Sequence, residues 1–242
     1  MIRMEKLNKF YGSFHAVKDL TLNVPRGEVF CFLGPNGAGK TTTLKMLTGL
    51  LRPSSGRAWI GGIDVVENPL EAKKRMAYIP DTPFLYDRLT ATEFFTFIGT
   101  LYGLSRETID EEFERSFSFF GLLEHRASLV KDLSHGLRQR LVYAASFLHK
   151  PDVLFIDEPL IGLDPHTIRA IKSLLREKAK AGMTIFLTTH ILSLAEDVAD
   201  RIGIILNGKL IALGTLDEIK STSGTSGDLE EVFLELTENG AP

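Results

Sequence analysis

The sequence predicts an α/β fold interrupted by a helical lobe, and three observations carry that prediction. Short apolar runs of strand length recur on both sides of a long stretch with helical periodicity. Val29–Leu33 leads into the glycine loop Gly34–Thr42 (GPNGAGKTT) and then into text that continues as a helix, Thr42 to Leu47. Val153–Ile156, another apolar run, ends on the carboxylates Asp157 and Glu158. Strand and helix alternating along a chain indicate a core of βα units.

In chain order, residues 2–7, 17–24 and 57–60 read as strands, the last closed by Gly61-Gly62, and Met76–Ile79 reads as another, closed by Pro80. The pattern then turns helical. Thr90 and Glu93 stand at capping-box spacing before an apolar segment that runs to Leu104. Ile109, Phe113, Phe117 and Phe120 recur at helical intervals with Gly121 as the stop, so the phenylalanines form the buried stripe of the lobe. Ser134 is a natural N-cap for a helix running through Leu141–Leu148. Beyond Pro151 strands return at 153–156, 184–187 and 201–206, with a helix over Ile168–Lys180. One domain over 1–220, with the lobe at about 87–148, is expected; 221–227 (STSGTSG) has linker composition and Leu229–Leu236 suits a short amphipathic helix in the tail 221–242.

Composition narrows the function classes. A net charge of −3 over 242 residues, without a long basic run, argues against nucleic acid as a partner. The single cysteine, Cys31, excludes an intramolecular disulfide framework and reads as a core residue. No stretch approaches the roughly 20 apolar residues of a membrane span, so work at a membrane is expected to go through a partner.

The chemistry starts at the glycine loop. Gly34, Gly37 and Gly39 permit positive φ and close backbone approach, so successive N–H groups form an anion nest backed by a helix N-terminus. Lys40 adds a cation for β- and γ-phosphates, and the Thr41 hydroxyl suits Mg²⁺. Asp157, at the carboxyl end of a buried strand, suits the Mg²⁺ shell, and Glu158 suits the general base that takes a proton from water. His190, after the strand Thr184–Leu187, can hydrogen-bond a terminal phosphate. Ser134 and Gly136 open a second helix N-terminus. One nucleotide hardly needs two such ends from separate lobes, so this one is expected to serve the phosphate held by another copy.

Taken together, these motifs resemble the nucleotide-binding ATPase of ATP-binding cassette transporters. The glycine loop resembles Walker A, VLFIDEP Walker B, LSHGLRQRL the signature, Ile161–Pro165 the D-loop and His190 the switch histidine. The resemblance implies a P-loop NTPase core with a mixed sheet, a small N-terminal antiparallel β subdomain and an inserted α-helical signature subdomain. It implies that Asn36, Gly37, Ala38, Gly39, Lys40, Thr41 and Thr42 hold ATP, that Tyr11 stacks on adenine with Val17 beneath the ring or ribose, and that Thr41, Asp81 and Asp157 hold Mg²⁺. Glu158, His190 and Lys40 would be catalytic. Ser134, Gly136 and Asp164 would complete the site of a second ATPase subunit, related or identical, stacked head to tail.

A transmembrane permease is the other implied partner, with the chain at the cytoplasmic face of the cell membrane and soluble when isolated. The tail and the Tyr78–Tyr86 segment resemble exporters of the ABC-2 type. Three residues depart from the pattern: Asp81 for glutamine, His135 for a signature glycine and Leu137 for glutamine. A carboxylate at 81 can face Mg²⁺ but donates no hydrogen bond, so hydrolysis with altered Mg²⁺ dependence is expected; His135 either adds a donor near the partner's γ-phosphate or points into solvent, the second being the favoured expectation. Rival readings are a GTPase, for which Asn207-Gly208-Lys209-Leu210 lacks the aspartate of a base-reading motif; a cassette of translation or DNA repair, disfavoured by the short insert and the charge; and a regulatory or assembly subunit that binds ATP with weak or no hydrolysis.

Overall fold

The computed structural model describes residues 1–158, 164–223 and 229–239. At its N-terminus β1 (Ile2–Tyr11) and β2 (Phe14–Val24) pair antiparallel across the two-residue turn Gly12-Ser13, with Gly12 at φ 59°. The next strand, β3 (Val29–Leu33), is buried along its whole length and runs into the loop that opens α1 (Lys40–Leu47). Two further strands, β4 (Ser55–Ile60) and β5 (Ile63–Asp64), complete an antiparallel sheet of order β2-β1-β4-β5. Its inner face, including Met4, Leu20, Leu22 and Ala58, packs with Leu44 and Leu47 of α1.

After the short α2 (Pro69–Lys74), β6 (Met76–Ile79) forms one edge of the second sheet, to which β3 also belongs. A helical lobe follows: α3 (Ala91–Leu101), α4 (Arg106–Phe119) and α5 (His135–Phe147). Thr90 and Glu93 cap α3 reciprocally: the Glu93 N–H donates to Thr90 Oγ1 at 3.2 Å and the Thr90 N–H to Glu93 Oε2 at 2.8 Å. Ile109, Phe117 and Phe120 are buried, Phe113 lies against them, and Gly121 ends the run at φ 63°. Gly99 lets α3 meet α4 closely, since a Cβ there would stand 2.6 Å from Ile109 Cγ1.

The chain returns to the sheet with β7 (Val153–Asp157), α6 (Pro165–Lys180), β8 (Thr184–Thr189), α7 (Leu192–Val198), β9 (Arg201–Leu206) and β10 (Lys209–Gly214), and finishes with α8 (Leu216–Ser223) and α9 (Leu229–Asn239). The order is β10-β9-β3-β8-β7-β6, parallel except for β10 against β9, so the sheet is mixed as expected. Every residue of β3, β7 and β8 is buried, which requires cover on both faces. Phe30, Phe32, Phe155 and Phe186 carry one face toward the first sheet, with Phe30 and Phe186 centroids 5.2 Å apart.

Three expectations need correction. The strand expected at 17–24 starts at Phe14, because the tight turn lets pairing begin at Tyr11 and Phe14. Residues 221–223 are helical rather than linker: the Thr215 N–H donates to Glu218 Oε2 at 2.7 Å and the Glu218 N–H to Thr215 Oγ1 at 3.3 Å, a capping box that starts α8 and carries it into the polar text. The remaining linker positions, 224–227, lie outside the described residues, as do Ile161, Gly162 and Leu163. The helix expected from Ile168 begins three residues earlier at Pro165, behind the N-cap Asp164. Among the described residues no helix is long and apolar enough to cross a membrane.

Candidate functional site

Tight packing behind the glycine loop fixes its path. A Cβ on Gly34 would lie 2.4 Å from the Ile205 carbonyl oxygen, and one on Gly39, at φ 110°, 2.7 Å from that of Ala16. Gly37, at φ 80°, has open space where its Cβ would be. Gly39 is also the N-cap of α1 and offers no side chain to the first turn, which leaves that end of the helix to an anion. Ala38 is buried behind the loop and its N–H donates to the Pro35 carbonyl at 3.2 Å. The Lys40 ammonium, itself buried, donates to the carbonyls of Gly34 at 2.7 Å and Pro35 at 3.1 Å. Burial lowers its pKa, against the pull of Glu158 and Asp157.

A cleft of about 330 Å³ opens over the loop, and Tyr11, Asn36, Gly37, Gly39, Lys40, Thr41, Thr42, Asp81, Asp157 and Glu158 all line it. The Thr41 hydroxyl donates to Asp157 Oδ1 at 3.3 Å, and the Thr188 hydroxyl donates to the same oxygen at 2.5 Å. The Thr41 hydroxyl and the Asp157 carboxylate beside the glycine loop, with Asp81 on the rim, are hard-oxygen donors of the kind that could hold Mg²⁺. Asp157 and Asp81 also bear on the Tyr78 phenol, which burial and then these two charges push up.

Glu158 sits one residue past the strand end at φ 51°, a left-handed conformation for a non-glycine residue. Its carboxylate accepts from Thr189 Oγ1 on Oε2 at 3.1 Å and pairs through Oε1 with His190 Nδ1 at 2.8 Å. The structure thus joins Glu158 and His190, 32 positions apart, at the carboxyl ends of adjacent parallel strands.

Other expected residues fall elsewhere. Val17 is fully buried in the core beneath the sheet and does not line the cleft; its neighbour Ala16 and the exposed Phe14 do. Phe14 stands directly opposite Tyr11 in the hairpin, so both rings share one face. Ser134 caps α5 by accepting from the Leu137 N–H at 3.3 Å; it is exposed, as is His135, and neither Ser134 nor Gly136 lines the cleft. Asp164 caps α6, accepting from the N–H groups of His166 at 3.1 Å and Thr167 at 3.0 Å, and lies 3.8 Å from Arg140 Nη2 of α5. Phe14, Ala16, Thr188 and Thr189 belong to this constellation although the motifs do not include them. The two-residue turn after Tyr11 and the threonine pair before His190 are the signals in the text that point to them.

A larger groove of about 610 Å³ runs between the lobe and the core, lined by Leu50, Tyr78, Phe84, Leu101, Tyr102 and His149 among others. It shares Thr41, Asp81 and Asp157 with the cleft.

A sequence profile described as ABC transporter matches residues 17–161. A second, described as AAA domain, putative AbiEii toxin, Type IV TA system, matches residues 129–196. The chain is 38% identical over 240 residues to the probable multidrug ABC transporter ATP-binding protein YbhF of Escherichia coli (strain K12), covering 98% of this chain but 41% of that protein. It thus spans about two fifths of that relative's length. It is 41% identical over 225 residues to the daunorubicin/doxorubicin resistance ATP-binding protein DrrA of Streptomyces peucetius, covering 93% of this chain and 68% of that one. A solved structure, titled as that of the ATP binding subunit of an ABC transporter, superposes with a TM-score of 0.93 at 35% identity over 98% of this chain and 99% of the other. With the profile matching more than half of its length and DrrA 41% identical over 68% of that relative, this chain belongs to the ABC transporter family.

Proposed function

We propose that this chain binds and hydrolyses ATP as one half of a head-to-tail pair of cassettes and thereby energises a membrane permease, in the direction of export. The observation that carries this reading is the single cleft lined by Lys40, Thr41, Asp157 and Glu158, with the ring of Tyr11 on its rim. In the proposed cycle Tyr11 stacks on adenine while the loop amides and Lys40 take the β- and γ-phosphates, the ammonium exchanging two carbonyl partners for phosphate oxygens. Thr41 and Asp157, with Asp81 nearby, would hold Mg²⁺, which when bound neutralises phosphate charge. Water attacks the γ-phosphorus, its proton passes to Glu158, and the bond to the β–γ bridging oxygen breaks. His190, 47% exposed at its side chain and paired with that carboxylate, is in reach to turn toward the terminal phosphate.

Ser134 and Gly136 lie outside this cleft, at an exposed helix start. That placement fits a role on the phosphate of a second cassette, with Asp164 at the seam. The groove beside the lobe, where Phe84 is 95% and Leu101 69% exposed, is the apolar surface offered to the permease. The drug-resistance and multidrug names of the relatives support export. Steady-state phosphate release by the purified chain and by Glu158→Gln tests the chemistry: the variant is expected to be slower by a hundredfold or more, on the order of losing a general base. Equal rates refute Glu158 as the base. In the Glu158→Gln background, ATP is expected to dimerise the chain and Ser134→Arg to abolish that dimer; normal dimerisation of Ser134→Arg refutes the shared site.

A further inference from the structure

Thr189 sits behind the cleft, fully buried, with its hydroxyl on the Glu158 carboxylate. We propose that Thr189 is the positioning residue of that carboxylate: it fixes the plane of the base and leaves Oε1 as the oxygen that receives the proton. The inference rests on the hydrolytic reading above and deepens it.

The register of β7 and β8 builds the arrangement. Asp157 lies opposite Thr188 in the parallel ladder, and the Glu158 N–H adds one more rung to the Thr188 carbonyl at 3.1 Å. Two consecutive threonines therefore serve two consecutive carboxylates. Thr188 donates to Asp157 Oδ1 at 2.5 Å, and Thr189 lies 3.1 Å from Glu158 Oε2.

The direction of the second bond follows from a count of hydrogens. A hydroxyl carries one hydrogen and two lone pairs. The Ile191 N–H donates to Thr189 Oγ1 at 3.0 Å and so occupies a lone pair. An ionised carboxylate has no hydrogen to give, so the Thr189 hydrogen points at Oε2. Oε1 faces His190 alone among the side-chain partners described.

The two partners of the carboxylate differ in mobility. The His190 side chain is 47% exposed, whereas Thr189 is anchored in β8 with no exposed surface. When the imidazole turns to phosphate, Thr189 is the tether that keeps Glu158 aimed, and the vacated Oε1 faces the water.

The test is steady-state kinetics with nucleotide affinity measured separately. Thr189→Val keeps the shape and removes the donor; Thr189→Ser keeps the donor. Removal of a hydrogen bond to a charged group is expected to lower kcat by about ten- to a hundredfold. ATP affinity should stay within about twofold, because Thr189 does not line the cleft. Thr189→Ser should restore most of kcat, and in the Glu158→Gln background Thr189→Val should cost nothing further. A thermal melt shows whether Thr189→Val is folded, and Thr189→Cys, a weak donor of similar size, replaces it if it is not. Wild-type kcat in the donor-deleted variant, failure of serine to restore it, or an equal loss in the Glu158→Gln background each overturn the proposal. If Glu158→Gln is as fast as wild type, the hydrolytic reading falls first and takes this one with it.

Discussion

Alanine at Gly39 separates two penalties that a loop glycine can hide. The backbone there has φ 110°, and the new Cβ would approach the Ala16 carbonyl oxygen to 2.7 Å, Ile205 Cδ1 to 3.3 Å and Val17 Cγ2 to 3.4 Å. The left-handed conformation costs about 1–2 kcal/mol for an L residue. The contact with a backbone oxygen, which cannot rotate away, adds about 1–3 kcal/mol by analogy with overpacked cores. Gly37 provides the control, since it has φ 80° and nothing within 4 Å of the point its Cβ would occupy, so Gly37→Ala bears the conformational cost alone. At about 2–4 °C per kcal/mol for a domain of this size, Gly39→Ala should melt roughly 2–12 °C below Gly37→Ala. Differential scanning calorimetry without nucleotide gives both midpoints. Gly39→Ala melting at or above Gly37→Ala would refute the claim that the loop is wedged against the β1–β2 hairpin.

The same site supports two smaller tests. Phe14→Ala should weaken ATP about two- to tenfold through loss of ring contact while leaving inorganic triphosphate binding unchanged, as isothermal titration can show; equal weakening of both ligands would mean that Phe14 does not touch the base. Hydrogen bonds from the Thr167 side chain, and then from the Thr167 and His166 N–H groups, hold the Asp164 carboxyl down to about 2. A depressed carboxyl stabilises the fold fully above its ordinary value of 3.8 and loses that contribution as pH falls through about 2. Asp164→Asn, which still caps the helix, should therefore show a shallower loss of stability between those pH values in acid denaturation, and parallel curves would count against the assignment.

The glycine loop, the acidic strand end and the lobe were legible because each is a local pattern with one physical solution. Thr90 and Glu93 cap α3 reciprocally, and Ile109, Phe117 and Phe120 turn to one core. Parity was harder to read. Register shifts in the β1–β2 pairing near Leu7, Lys9 and Phe10 break simple alternation, so text alone does not tell whether Ala16 or Val17 faces the cleft. Asn207-Gly208, with φ 49° and 81°, carries a strong hairpin signal, and treating it only as an incomplete base-reading motif hides β10. The Glu158–His190 pair depends on strand neighbours and on one residue with positive φ, neither of which has a signature in a linear pattern.

Thr41, Asp81 and Asp157 border both the cleft over the glycine loop and the groove beside the lobe. The compartment over the loop and the trough beside the helices share one wall at these residues. On the proposed reading, a partner segment pressed into the trough would meet the same three side chains as the nucleotide, and coupling between the two would need no relay through the rest of the protein.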